Sequence, residues 1–185
     1  SGVQGTGKGI FYTRILRGLF GLHHAPMRYL RNMEEQFNLY MRDALFLVVD
    51  EFHMASASAG IRKMADQLKT QITERTITIR AMRSNQLEIP NYTNFIFLTN
   101  RADAVSIEPG DRRYNIAPSQ ENKLLDTFED ISDKIDSNQI EKELLHLAGV
   151  LATFNVNRRL ATTPVDNSVK RVMRSVSMSV FEEFG

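Results

Sequence analysis

Cysteine is absent from the 185 residues, which excludes a disulfide scaffold, a cysteine nucleophile and any zinc site built on thiolates. No apolar run approaches the ~20 residues that a membrane span needs, so no membrane partner is expected. An excess of charge is missing too. The 23 basic residues face 22 acidic ones for a net +1, so any electrostatic footprint has to be local. Four histidines are present (His23, His24, His53 and His146), and none pair at a metal-motif spacing. The chain opens on polar glycines rather than a basic and then apolar segment, so no signal peptide is expected and the cytoplasm is the expected compartment. What remains is ordinary for a soluble globular protein, with 42% apolar and 24% charged residues. The length suits about one to one and a half domains.

The opening residues carry the densest chemistry. Gly2 to Gly9 read GVQGTGKG, the spacing G-x-x-x-x-G-K of a phosphate-binding loop in all but its last position. Gly2, Gly5 and Gly7 free the backbone to bring several N–H groups to one phosphate chain. Lys8 supplies a point charge for the β- and γ-phosphates. The helix expected next has Phe11, Ile15 and Leu19 on one stripe and Gly21 at its end, and it aims its positive end at the same place. Thr6, Gly9 and Ile10 complete the expected nucleotide cradle. Two departures stand out. Gly9 occupies the position where a Ser or Thr hydroxyl holds Mg2+, and Thr13, one turn on, is too far to replace it. Such a loop also follows a buried strand, yet only Ser1 precedes it here, so the strand is expected upstream in a longer parent. A plain glycine turn before a helix is the alternative reading.

Further along, Asn32 with Glu35 can cap a helix carrying Met33, Phe37, Tyr40 and Met41 inward. The continuous apolar run Leu45 to Val49 suits a strand covered on both faces, as in a parallel sheet. Ile61, Met64, Leu68 and Ile72 space a helix. Thr76 to Ala81 alternates, and a polar turn at Arg83-Ser84-Asn85-Gln86 leads to Leu87 and Ile89, which predicts a β-hairpin. Phe95 to Leu98 is a second buried strand, and DRRYNI reads as a loop feeding a short strand. Beyond Pro118 the pattern is helical. Leu124, Phe128, Ile131 and Ile135 fit one helix, and Ile140, Leu144, Leu147 and Leu151 fit another. Thr163-Pro164 starts a last one with Val169, Met173, Val176 and Val180 inward. The expected division is a core over 1–118 and a helical region over 119–185.

Three more positions add to the loop. Asp50-Glu51 ends the first buried strand, 42 positions after Lys8. A carboxylate there can hold Mg2+ through water, the role expected of Asp50, while Glu51 orients or deprotonates the attacking water. The bland alternative is a strand that ends in solvated acids. Asn100 ends the second strand, where an amide can bond both water and γ-phosphate, although Asn is also a favoured turn residue. Arg112 and Arg113 follow Asp111. An arginine on a loop can reach a neighbouring subunit's γ-phosphate; equally, it can be a surface residue paired with Asp111. His53 reads as a solvated loop residue in preference to a nucleotide contact.

The order GVQGTGKG, FNLYMRDALFLVVDE, basic hairpin, NFIFLTN and DRRY resembles the superfamily 3 helicase domain, in the version fused to primases in phages, plasmids and poxviruses. The resemblance covers about residues 1–118, and the ATTPVDNSVKRVMRSV stretch of the tail more weakly. It implies an α/β, AAA+-like P-loop ATPase with a mostly parallel sheet, a β-hairpin insertion and a helical C-terminal region. It further implies ATP and Mg2+ as cofactors, a homo-hexameric ring around single-stranded DNA, and a covalently linked primase or polymerase domain in the parent. Position by position, Lys8 becomes the phosphate lysine, Asp50 and Glu51 the Walker B pair, Asn100 sensor 1 and Arg113 the finger, with Arg112 its substitute. In this fold the missing first strand is the central one.

The net charge hides a polarised chain. Between Arg62 and Ile89 the local balance is +3, and between Glu121 and Glu143 it is −5. Basic side chains on a hairpin facing a ring's channel can track phosphates, with Lys69, Arg80 and Arg83 as the candidates. A solvated edge protected by charge is the equal alternative. The leading expectation is an ATP-driven helicase motor that moves single-stranded DNA. The alternatives are an AAA+ loader or initiator that does not unwind, and a nucleotide-binding or assembly module deficient in hydrolysis.

Overall fold

The computed structural model describes residues 4–29, 38–51, 67–80, 83, 85–101, 104–105 and 107–182, with side chains described through residue 176. Of the expectations above, Gly2, the helix around Met33, His53, and the positions Ile61 and Met64 lie outside the described residues.

The apolar run before Asp50 becomes the middle strand of a parallel sheet. β1 (Met27–Tyr29), β2 (Phe46–Asp50) and β5 (Asn94–Phe97) lie in the order β1-β2-β5. Val48 is in register with Met27 on one side and Ile96 on the other. Such a strand has no polar face to spare, because both of its faces are buried. Leu47 and Val49 enter a core with Leu68, Ile77, Ile79, Ile107 and Met173. Val48 enters a second core with Tyr12, Leu16, Ala25 and Leu98, against which Phe46 packs. Leu47, Val48 and Val49 are buried essentially completely, which stabilises the fold by about 2 kcal/mol per side chain.

The second core is built by the helix that follows the glycine loop. It runs as α1 (Lys8–Ile10), a π-helical stretch (Phe11–Leu16) and α2 (Arg17–His24). Gly21 interrupts α2 at φ 77°, the break expected from the sequence. Tyr12 donates its hydroxyl to Ala25 O at 3.1 Å, which ties the helix to the start of β1. The first core is closed by α3 (67–73) and by an antiparallel hairpin, β3 (Thr76–Ile79) with β4 (Leu87–Pro90). Its Ile77 and Ile79 point inward, as the alternation predicts.

The chain then turns helical as α4 (Leu124–Thr127), α5 (Ile131–Asp136), α6 (Gln139–Thr153), α7 (Arg158–Thr162) and α8 (Ser168–Glu182). Several expectations change here. The helix drawn through Leu124 and Ile135 is two short ones, because Phe128 leaves helical geometry at φ −132°, ψ 87°. The residues DRRYNI feed no strand; 111–119 are loop, held by the side-chain bonds described below. The last helix starts at Ser168 rather than at Thr163-Pro164, with Asn167 Oδ1 accepting the Lys170 N–H at 2.9 Å as its cap. The Leu stripe of α6 is core only at Leu144; Leu147 and Leu151 are 38% and 49% exposed. Strand β1 and helix α7 had no sequence reading at all. The tail nevertheless packs on the front of the chain. Arg14 pairs with Glu141 at 2.6 Å, and Leu144 comes within 2.5 Å of a Cβ built on Gly18.

Candidate functional site

The glycine loop curls into the helix as its spacing demands. Gly5 and Gly7 both sit at φ 86°, a left-handed conformation that glycine adopts without a Cβ penalty. Gly7 O accepts the Phe11 N–H at 2.8 Å, so the loop continues directly into helical bonding. Its outer wall comes from the tail. Leu124 N–H donates to Gly5 O at 2.9 Å, and the Leu124 side chain fills the space where a Cβ on Gly7 would stand, 2.9 Å from Cδ2.

Lys8 leads out of this loop with its ammonium donating to Thr6 Oγ1 at 3.0 Å. Burial pushes the Lys8 pKa down, and the nearby Asp50 carboxylate opposes this without cancelling it. Asp50 is half-buried at the end of β2, and its Oδ1 accepts the Glu51 N–H at 2.9 Å. Glu51 is exposed with φ 53°. A side chain in the left-handed region costs about 1–3 kcal/mol, and such strain gathers at functional positions.

A cavity of about 550 Å3 is lined by β5 and its flanks from Thr93 to Thr99, by Lys8, and by Arg113, Tyr114 and the 115–118 loop. Lys8 and Arg113 thus face one space within one chain. Asn100 and Arg112 are exposed and do not line that cavity, whereas Thr99 does. The Thr99 hydroxyl accepts the Arg101 N–H at 3.1 Å.

Arg113 is set by an aspartate turn. Asp111 Oδ1 accepts the N–H groups of Arg113 and Tyr114 at 2.9 and 3.1 Å, and its Oδ2 takes the Arg113 guanidinium at 3.1 Å. The pairing with Asp111 weighed from the sequence is thus present, and it holds Arg113 at the cavity. Burial drives the Asp111 pKa up, but the two backbone donors, Arg113 and the charge of Lys170 outweigh it, leaving the carboxyl below its ordinary value of 3.8. The stabilisation this implies is complete above that value and disappears as the pH falls through the lower, folded-state value. At pH 7 Asp111→Asn is expected to cost about 1.5–3 kcal/mol. Urea melts should show the gap between wild type and variant narrowing below pH 4. Beside it, burial and the Asp111 charge push the Tyr114 phenol up to about 12, and its buried hydroxyl has no hydrogen-bond partner among the described residues.

For Mg2+, the described residues contain no cluster of three or more carboxylates or histidines. Thr13 turns its hydroxyl onto Gly9 O at 2.9 Å and does not substitute for the missing serine. An ion here would rest on Asp50, water and phosphate oxygens. That donor set fits magnesium, which keeps much of its hydration shell.

The nucleic-acid candidates divide. Arg83 is exposed at φ 58° at the hairpin's turn, and Arg80 is exposed at the end of β3. Lys69 instead lies on α3 and bonds Glu108 at 2.8 Å, which serves the packing of α3 on the 107–110 loop. No described helix is long and apolar enough to cross a membrane. Sequence reasoning missed Thr99, Asp111 as an anchor, Leu124 and Lys170. Only Asp111 carried a signal, as an Asx turn residue two before Arg113.

Against known proteins, the chain is similar to the DNA primase-polymerase of Nitratiruptor phage NrS-1, 29% identical over 192 residues that include 98% of this chain and 25% of that protein. The chain therefore spans about a quarter of the curated relative's length. An apo structure of the NrS-1 C-terminal region matches with a TM-score of 0.81 at 29% identity over 95% of this chain and 41% of the other. Its A form matches with a TM-score of 0.77 at 28% identity over 99% and 42%. These matches put the chain in the company of a phage replication protein and support the mixed α/β architecture. A family model covers residues 1–113, more than half of the molecule, and on that match the chain belongs to the family of unknown function DUF5906.

Proposed function

We propose that this chain is the nucleotide-driven motor region of a phage-type replication protein, an ATPase of P-loop, superfamily 3 helicase type that moves single-stranded DNA. The observation that carries the reading is the left-handed glycine loop at Gly5 and Gly7, which runs directly into the helix at Lys8, with Lys8 and Arg113 lining one cavity. In this reading the loop's N–H groups and Lys8 bind the triphosphate. Asp50 holds magnesium through water, the ion supplying charge neutralisation, and Glu51 orients the nucleophilic water. Arg113 neutralises charge that develops on the γ-phosphate.

The shared cavity favours Arg113 acting toward the Lys8 site of its own chain, whereas a ring would ask it to serve a neighbour. A hexamer, a linked primase domain and DNA threading past Arg80 and Arg83 are parts of the same proposal. Strand displacement by the full-length parent tests the helicase reading directly. ATP turnover without displacement would support a loader or initiator.

One observation favours the reading with weak hydrolysis. Gly9 itself supplies no hydroxyl, and Thr13 turns its own onto the helix backbone. A Cβ on Gly9 meets nothing within 4 Å, so Gly9→Ser is expected to fold unchanged. Calorimetry should find Mg–ATP binding to the variant several-fold tighter than to wild type, each ligand contact to magnesium being about 1 kcal/mol or more. No binding by either protein would support an assembly module instead.

A further inference from the structure

The C-terminal helix holds a lysine that none of the chemistry above uses. Lys170, on α8, is 1% exposed, the most enclosed charged side chain among the described residues. Its ammonium donates to Asp111 O at 2.8 Å and Tyr114 O at 2.6 Å. It thereby grips both ends of the turn that carries Arg113. Its neighbours on the tail do the same a few residues further along. Asn167 donates to Ile116 O at 2.6 Å, and Asn115 Oδ1 accepts the Val165 N–H at 2.9 Å. The Asp111 carboxylate, itself 3% exposed, faces both Arg113 and this lysine.

A buried ammonium is a costly way to fill space; an apolar side chain of the same length packs α8 without desolvating a charge. What it adds is direction. Two carbonyls bonded to one ammonium fix the backbone of the turn from which Arg113 lines the cavity it shares with Lys8.

We infer that Lys170 is a positioning residue that ties α8 to the Arg113 turn, so that the seating of the C-terminal helix sets whether Arg113 is presented to the Lys8 cavity. This rests on the reading of that cavity as a triphosphate site. The test compares wild type, Lys170→Met and Lys170→Arg in the full-length parent, with two readouts. In steady-state ATP turnover, Lys170→Met should lower kcat by about 10²-fold, as displacement of a positioned group does, with KM within twofold, and Lys170→Arg should recover part of the loss. In limited trypsin digestion, cleavage after Arg112 and Arg113 should speed up about tenfold in Lys170→Met relative to cleavage at other sites.

Asn167→Ala, which unlatches α8 from Ile116 without leaving a buried charge alone, serves if Lys170→Met does not fold, and the same pattern is expected of it. If wild type turns over no ATP, the triphosphate reading fails and digestion alone decides the inference. Unchanged cleavage at Arg112 and Arg113 in the folded variant, or equal losses of kcat and of affinity with no rescue by arginine, would overturn it.

Discussion

Lys8→Ala and Glu51→Gln in the full-length parent are expected to lower DNA-stimulated ATP turnover by at least about 10²-fold each, for different reasons. Lys8 is the cation at the loop, held on Thr6 and facing Asp50. Removing it takes away a charge-assisted contact to the bound triphosphate that strengthens as charge develops in the transition state, so KM should rise and kcat fall. Glu51 is exposed directly after β2, at φ 53°. Its loss removes general-base or water-orienting work, an effect of about 10²–10⁴-fold that falls on kcat. Turnover unchanged in both variants would refute the assignment.

The second large effect is on the fold. Gly7→Ala has to place a Cβ at φ 86°, 2.9 Å from Leu124 Cδ2. The left-handed backbone costs about 1–2 kcal/mol, and forcing Leu124 aside adds about 1–3 kcal/mol. Because Leu124 belongs to α4, the substitution should also loosen the tail from the loop. Gly9→Ala is the internal comparison. It lies two residues away on α1 in open space, and should stabilise by up to about 1 kcal/mol through helix propensity. Urea unfolding of the two variants should therefore move the midpoint in opposite directions. Equal midpoints would mean that the loop's conformation differs from the one described here.

What sequence patterning conveyed depended on whether a residue's partner was local. The β2 and β5 strands were legible because a strand buried on both faces is a continuous apolar run, and the hairpin because Ile77 and Ile79 alternate against threonines. Gly21 was legible as a helix break. The turn of the loop was legible because its glycines permit left-handed backbone, and Asp50 because it ends a continuous apolar run. Illegible were the contacts made across the chain. Nothing about a lysine beside the Val169–Met173 stripe distinguishes an enclosed Lys170 from one that reaches solvent along the helix. Nothing around Leu124 says that it closes against Gly7. The helix drawn through Leu124 and Ile135 failed because apolar spacing is blind to a break in φ/ψ at Phe128. Lys69 bonds Glu108, 39 positions away, a contact that no local spacing shows. Strand β1, at three residues, is too short for any period to show.

Sequence spacing drew the site from Lys8, Asp50, Glu51, Asn100, Arg113 and Arg112, and of these Lys8 and Arg113 line the cavity. In the fold its described walls are β5 up to Thr99 and the Arg113–Pro118 loop, and the latter is fastened by a helix more than fifty residues downstream.

The most direct measurement is a structure of the protein with Mg2+ and a non-hydrolysable ATP analogue. The account predicts the triphosphate against the backbone N–H groups of Gly5 to Lys8, its outer phosphate within hydrogen-bond distance of Lys8 Nζ, and the metal's water shell on Asp50. A triphosphate bound elsewhere, or a glycine loop that stays empty at saturating analogue, would contradict it.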